Sequence, residues 1–346
     1  MKVLRYKAPR QAEIVESETP KASGKTSVAK TLFTQVSAGT EMAFYRGTAP
    51  QLNYSGNKYG LWEKAPNNIV YPMKSDDPGV WWMGYAAVGR IVEVAPEEKN
   101  LGKGDLVFTW GPHREYQSAS SFVKLPEDTN PRHASFLALM RIALNGYWDA
   151  RVMLLDDVVI FGMGNIGQLL LQMCKLGGAK VVAVDRIASR LELARKLGAD
   201  AVFNPATDGD AGNFVYERTN GRGADAVIEV TGNVKALPDA IRCAGYNGQV
   251  TVLSFYQDVA DTLDLGREFH HKRTVVRSSQ AGGNNPHLGP LHNPDRQTQH
   301  AIELLKLIDL DSLITHQVPF AELPAALEMI DKNPNECLSV VVEYGK

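Results

Sequence analysis

The sequence has few cysteines, no long apolar run and almost no net charge, and each shortage removes a class of protein. Its three cysteines, Cys174, Cys243 and Cys337, lie far apart. That excludes a disulfide framework and a structural zinc knuckle. No apolar stretch approaches the ~20 residues that cross a bilayer. The opening residues, MKVLRYKAPRQAEIVE, are charged throughout and lack the apolar segment of a signal peptide. A cytoplasmic location is therefore expected. A formal net charge of -2 offers no basic face for nucleic acid or an anionic membrane. Internal repeats and low-complexity tracts are missing too.

What is present suits a globular protein of two domains, since 346 residues exceed one ordinary core. Up to about residue 125 the chain is β-rich. The runs TSVAKTLFTQV, AAVGRIVEVA and GDLVFTW are separated by turn residues. Between them residues 48–82 form a long insertion bearing Tyr54, Tyr59, Trp62, Tyr71, Trp81 and Trp82. Loops of this length inside compact domains are functional or disordered, and the aromatic content argues against disorder. Beside these rings Asn53, Asn57, Asn67 and Asn68 suit a ring carrying hydroxyls, such as a sugar or cyclitol. The alternative is that the aromatics pack the loop's own small core or a subunit interface. From about residue 130, strands (DDVVIFG, AKVVAVD, ADAVIEVTG, GQVTVLSFY) alternate with helices (NIGQLLLQMCKLG, ASRLELARKLGA, ALPDAIRCA). This pattern predicts an α/β, doubly wound parallel sheet. The final CLSVVVEY predicts a strand returning to one of the two sheets.

The sharpest motif is Gly162-Met163-Gly164-Asn165-Ile166-Gly167, set between the strand VVIF and a helix. Its glycines permit a tight turn, close approach of backbone amides to a pyrophosphate, and close helix–strand packing. Asp185 follows the next strand, about 20 residues on, where a carboxylate accepts hydrogen bonds from the adenosine ribose. It repels a 2′-phosphate, so NAD is expected over NADP; Arg186 and Arg190 nearby are the residues that can accommodate one.

A second stretch, QVSAGTEMAFYRG at residues 35–47, turns at a glycine and sets Thr40 beside Glu41. It reads either as a capped turn, with Thr40 as cap, Glu41 in the first turn and Gly47 at the end, or as a site.

A β-rich front, a nicotinamide-type Rossmann domain and a closing C-terminal segment together resemble the medium-chain dehydrogenase/reductase superfamily over nearly the whole chain. The resemblance implies a GroES-like catalytic domain at residues 1–128 and 290–346, and a Rossmann domain at 129–289. It also implies an active-site cleft between domains, a small-molecule substrate and a homo-oligomer, dimer or tetramer. TGNVKALPDAI and GQVTVLSFY resemble segments lining the nicotinamide half of the cofactor cleft, which brings in Thr231 and Ser254. Zinc-dependent members read G-x-C-G-T-D-x-H-x-Y-x-G where this chain has its second stretch. Here Ala38 stands for the metal-binding cysteine, Glu41 for the aspartate and Ala43 for the relay histidine. The family's G-H-E-x-x-G appears as Gly84-Tyr85-Ala86-Ala87-Val88-Gly89, and the four-cysteine zinc lobe is missing. With two expected ligands replaced, no zinc is expected. Among zinc-free branches, VSAGTE and HHKRTVVRSSQ are most similar to the group containing bacteriochlorophyllide dehydrogenase.

Hydride transfer at a carbonyl leaves charge on oxygen, and without a metal some side chain must donate to it. Thr40 keeps the family hydroxyl, and Tyr85 brings a phenol to the place of a metal-binding histidine. Glu41 can orient one of them or receive a proton. His113, after a glycine-proline turn, is either a proton carrier or a solvent-facing loop histidine. The expected activity is a zinc-independent, NAD-dependent alcohol dehydrogenase or ketone reductase acting on a polar cyclic substrate. The alternatives are a quinone or enone reductase and a cofactor-binding protein without turnover.

Overall fold

Strand Asp157–Phe161, an almost wholly buried apolar run, lies near the centre of a six-stranded sheet in the computed structural model, which describes residues 1–65, 69–281, 288–290 and 292–345. The strand order is Ala201–Phe203, Lys180–Val184, Asp157–Phe161, Ala224–Glu229, Ala244–Val252 and Val275–Ser278, with every pair parallel. Numbered along the chain this is 3-2-1-4-5-6, the doubly wound order whose ligands bind where the winding reverses, beyond the strand ends. The inner strands Asp157–Phe161 and Lys180–Val184 are mostly buried apolar runs, as a parallel sheet covered on both faces requires. Val159, Phe161, Val227, Ile241 and Val250 pack into this core. The unit holding the sheet spans Leu139–Leu313.

The other unit comprises Met1–Ala138 and Ile314–Lys346. It is built on strand Ser27–Gln35, which pairs antiparallel with Ala87–Glu93, Tyr116–Ala119 and Ser339–Glu343. The C-terminal strand thus returns to the β-rich unit, with Val342 opposite Thr34. A smaller sheet pairs Lys2–Ala8 with Gln11–Glu16 and Met73–Lys74. The expected α/β architecture, a β-rich part plus a doubly wound part, is found. Pro324 stands in the first turn of helix Leu323–Lys332, as its fixed φ favours. Among the described residues no helix is long and apolar enough to cross a membrane.

Candidate functional site

In the doubly wound unit the glycine loop joins strand Asp157–Phe161 to helix Asn165–Leu176. Gly167 is required by packing: a Cβ there would stand 1.8 Å from the Gly162 carbonyl oxygen. The Asp185 carboxylate accepts from the Met163 amide at 2.6 Å and from the Ile187 amide at 2.8 Å, tying the second strand's end to the loop. Thr231 packs its backbone 2.9 Å from where a Gly162 Cβ would stand, and Ser254 Oγ accepts from the Gly232 amide at 2.8 Å. Gly162, Asp185, Thr231 and Ser254 therefore gather at the carboxyl edge of one sheet. The Arg190 guanidinium reaches the loop at Gly164, while Arg186 is exposed.

Two polar observations bear on what this edge holds. The side-chain oxygen of Asn165, in the first turn, is buried without a hydrogen-bond partner. The first-turn amides of helix Asn165–Leu176 meanwhile face an anion-binding position. Loop, unspent amide and ribose-type carboxylate together fit a dinucleotide. Glu229, fully buried at the end of its strand, accepts from the Thr231 amide at 2.8 Å and from the hydroxyls of Thr231 and Tyr256. Burial and the Glu229 charge push the Tyr256 phenol up. Neither residue belongs to the glycine motif; the hint in the sequence is one carboxylate closing the apolar run ADAVIE.

The second stretch folds differently from a threonine-capped turn. The helix is Thr40–Arg46, its N-cap is Gly39 and no side chain caps it, so Thr40 is already helical. Gly47 does end it, in the left-handed conformation. Glu41 is fully buried. Its Oε2 accepts from the Ser37 amide at 3.1 Å, and its Oε1 lies 3.0 Å from His113 Nε2 and 3.2 Å from the Tyr6 hydroxyl. His113 is no solvent-facing loop histidine: its ring is fully buried, and its Nδ1 lies 2.6 Å from Thr34 Oγ1. The space it occupies is left by Gly84, where a Cβ would come within 2.6 Å of the imidazole.

Tyr85 follows directly, buried, with its hydroxyl 2.7 Å from Ser37 Oγ. Its phenol is pushed up to about 12. Desolvation is the main cause, opposed by hydrogen bonding with Ser37, reinforced by the Glu41 charge and opposed slightly by Thr40. Trp110, 42% exposed, stacks on the Tyr85 ring with centroids 6.0 Å and planes 24° apart. Ser37 thus meets both Glu41 and Tyr85, and His113 meets Glu41 in turn; Ser37 lies in VSAGTE, at a position to which the sequence alone assigns no role.

The motif positions that carry metal ligands and the relay histidine in zinc-dependent relatives are occupied differently here. Ala38, Ala43 and Ala86 offer no ligand atom, Tyr85 offers a phenol, and His113 is bonded on both ring nitrogens. Among the described residues no three His, Cys, Asp or Glu side chains converge to hold a metal.

The aromatic insertion divides. Trp82 stacks on Phe44 at 4.7 Å, and the Tyr71 hydroxyl donates to the Phe44 carbonyl, so these rings do pack a small core. Tyr54, Tyr59, Leu61 and Trp62 are exposed around the hairpin Tyr54–Gly56/Trp62–Lys64. Asn57 is spent within that hairpin, accepting from the Tyr59 and Leu61 amides and donating to Glu63. Asn67 and Asn68 lie outside the described residues.

A glycine loop at the carboxyl edge of a 3-2-1-4-5-6 sheet in one unit, and a buried hydroxyl cluster in the other, fit a nicotinamide-dependent oxidoreductase. Residues 165–288 match the family model of zinc-binding dehydrogenases. The chain is 30% identical to D-guloside 3-dehydrogenase of Escherichia coli K12 over 359 residues, spanning 99% of this chain and 100% of that one. Galactitol-1-phosphate dehydrogenase from Escherichia coli shares the fold at a TM-score of 0.81 and 19% identity, over 99% and 100% of the two chains. A short chain alcohol dehydrogenase from Escherichia coli CFT073, complexed with NADH, does so at 0.78 and 20%, over 99% of each. The chain belongs to the medium-chain, zinc-binding-type dehydrogenase superfamily. It is an enzyme, an NAD(P)-dependent oxidoreductase with a small-molecule substrate, and the reading as a binding protein without turnover falls.

Proposed function

We propose that the protein is a zinc-independent dehydrogenase that interconverts an alcohol and a ketone on a polar cyclic substrate, a sugar or glycoside, with NAD as the preferred cofactor. The observation that carries the reading is the buried Tyr85 phenol, hydrogen-bonded to Ser37 where zinc-dependent relatives place a metal ligand. A phenol pushed up to about 12 remains protonated at neutral pH and acts as an acid in ketone reduction. The nicotinamide, when bound, supplies or accepts the hydride. Tyr85 then gives its proton to the substrate oxygen, and Thr40 orients that oxygen. Glu41 and His113 hold the turn that carries them. The VSAGTE segment and the non-ligating donor set support placing the chain in a zinc-independent branch, the one resembling bacteriochlorophyllide dehydrogenase.

The glycine loop with Asn165, Ile166 and Gly167 cradles the pyrophosphate, Arg190 adds a cation, and Thr231 and Ser254 line the nicotinamide half. Asp185 favours NAD. The sugar-type substrate is supported by the full-length similarity to D-guloside 3-dehydrogenase. A cytoplasmic location belongs to the same proposal, as does assembly into a dimer or tetramer, which rests on the family resemblance.

The test is NADH formation by the metal-stripped enzyme across D-gulosides, other glycosides and cyclitols, with enones and quinones assayed for NADH oxidation. Turnover of the hydroxylated rings is expected. Turnover of enones alone would replace this reading with C=C reduction.

A further inference from the structure

We infer that Ser37 is a positioning residue for Tyr85, its hydroxyl supplying the hydrogen bond that the phenol oxygen requires once its proton has passed to the substrate oxygen. The inference rests on the reading of Tyr85 as proton donor and extends it to a residue at an unspecified position of the family motif. Ser37 Oγ and the Tyr85 hydroxyl stand 2.7 Å apart, both buried, and either oxygen can donate. Before transfer the phenol's hydrogen is the one to be given away. Afterwards the phenolate oxygen carries the charge, and Ser37 Oγ–H is the donor already in place.

The serine is not free to drift. Its amide donates to Glu41 Oε2 at 3.1 Å, and Glu41 is itself held by His113 and Tyr6. The same histidine ring fills the space left by Gly84, the residue before Tyr85. One buried pair, Glu41 with His113, therefore braces both chain segments that carry the Ser37–Tyr85 bond. A donor fixed in advance stabilises developing charge without reorganising when the charge appears.

In the step itself the phenol O–H bond breaks as an O–H bond forms on the substrate oxygen. The hydride and its electron pair would come to the carbonyl carbon from the reduced nicotinamide, which would be oxidised as the substrate is reduced. The negative charge left on Tyr85 is met by the Ser37 hydroxyl until a proton taken up from solvent restores the phenol.

The experiment is a double-mutant cycle on the intact enzyme: wild type, Ser37→Ala, Tyr85→Phe and the double variant, with Ser37→Thr as rescue. Ser37→Ala is expected to lower kcat about tenfold to a hundredfold with KM within about threefold. Ser37→Thr, which keeps the hydroxyl, is expected to restore most of it. In the Tyr85→Phe background, Ser37→Ala should cost less than about twofold, because its action passes through the phenol. Should Ser37→Ala not fold, Ser37→Cys keeps nearly the same volume with a poor donor, and the same loss is expected. Wild-type kcat in Ser37→Ala, or an equal loss in both backgrounds, overturns the inference while leaving Tyr85 as donor. Wild-type kcat in Tyr85→Phe overturns the donor reading and this inference with it.

Discussion

His113 Nε2 lies 3.0 Å from Glu41 Oε1, and both side chains are fully buried although 72 residues separate them in the chain. A buried polar pair of this kind contributes little net free energy while both members are present, but removing one strands the other. His113→Ala should therefore destabilise the fold by about 2–4 kcal/mol. In urea denaturation the midpoint is expected to fall with an unchanged m-value. An unshifted midpoint would mean that the pair braces nothing.

The buried tyrosines give the enzyme an alkaline limit. Tyr6 and Tyr344 are raised well above the ordinary phenol range and Tyr85 to about 12, in each case chiefly by desolvation. In the unfolded chain these phenols ionise near pH ~10. Above that pH the unfolded state has released protons that the native state retains, so native protein binds more protons and stability falls as pH rises. The loss should develop between pH ~10 and ~12, and phenolate absorbance at 295 nm should rise together with unfolding. Ionisation of all tyrosines near pH ~10 in a still-folded protein would contradict this.

Cofactor choice tests the Rossmann edge. Asp185 holds two amides of the loop region, and its carboxylate is the group proposed to repel a 2′-phosphate. Asp185→Ser should reduce kcat/KM for NAD by about tenfold or more, matching about 1.5–3 kcal/mol for hydrogen bonds to a charged group. The same change should narrow the preference over NADP, with Arg190 beside the loop to receive the added phosphate. Wild-type enzyme that prefers NADP would contradict the assignment.

Sequence alone makes some of this legible and hides the rest for a physical reason. The glycine loop, Asp185 and the alternation of strands and helices depend on neighbours within about 20 residues, and local periodicity reports them. The replaced ligand at Ala38 and the replaced relay histidine at Ala43 are readable the same way, by register within one short motif. The brace around Tyr85 is not, because it is built from contacts across the sheet. Thr34 meets His113 79 residues on and Tyr344 310 residues on. His113 offered only a glycine-proline turn as context, which suits an exposed loop as well as a buried ring. Thr40 was readable as a cap because it precedes an apolar run. The helix instead begins on Thr40 itself, and Glu41 satisfies the Ser37 amide before the Gly39 turn. Ser37 lies within VSAGTE, but its role is legible only once Tyr85 is folded against it.

We propose that a phenol does the work a metal does in zinc-dependent relatives. The most direct test is kcat for ketone reduction, measured on wild type and Tyr85→Phe after chelator treatment, with metal content determined on the same samples. Full wild-type activity is expected with far less than one zinc per chain, together with a fall of about 10²–10⁴ in Tyr85→Phe. Activity that tracks one zinc per chain, or a Tyr85→Phe enzyme as fast as wild type, would contradict it.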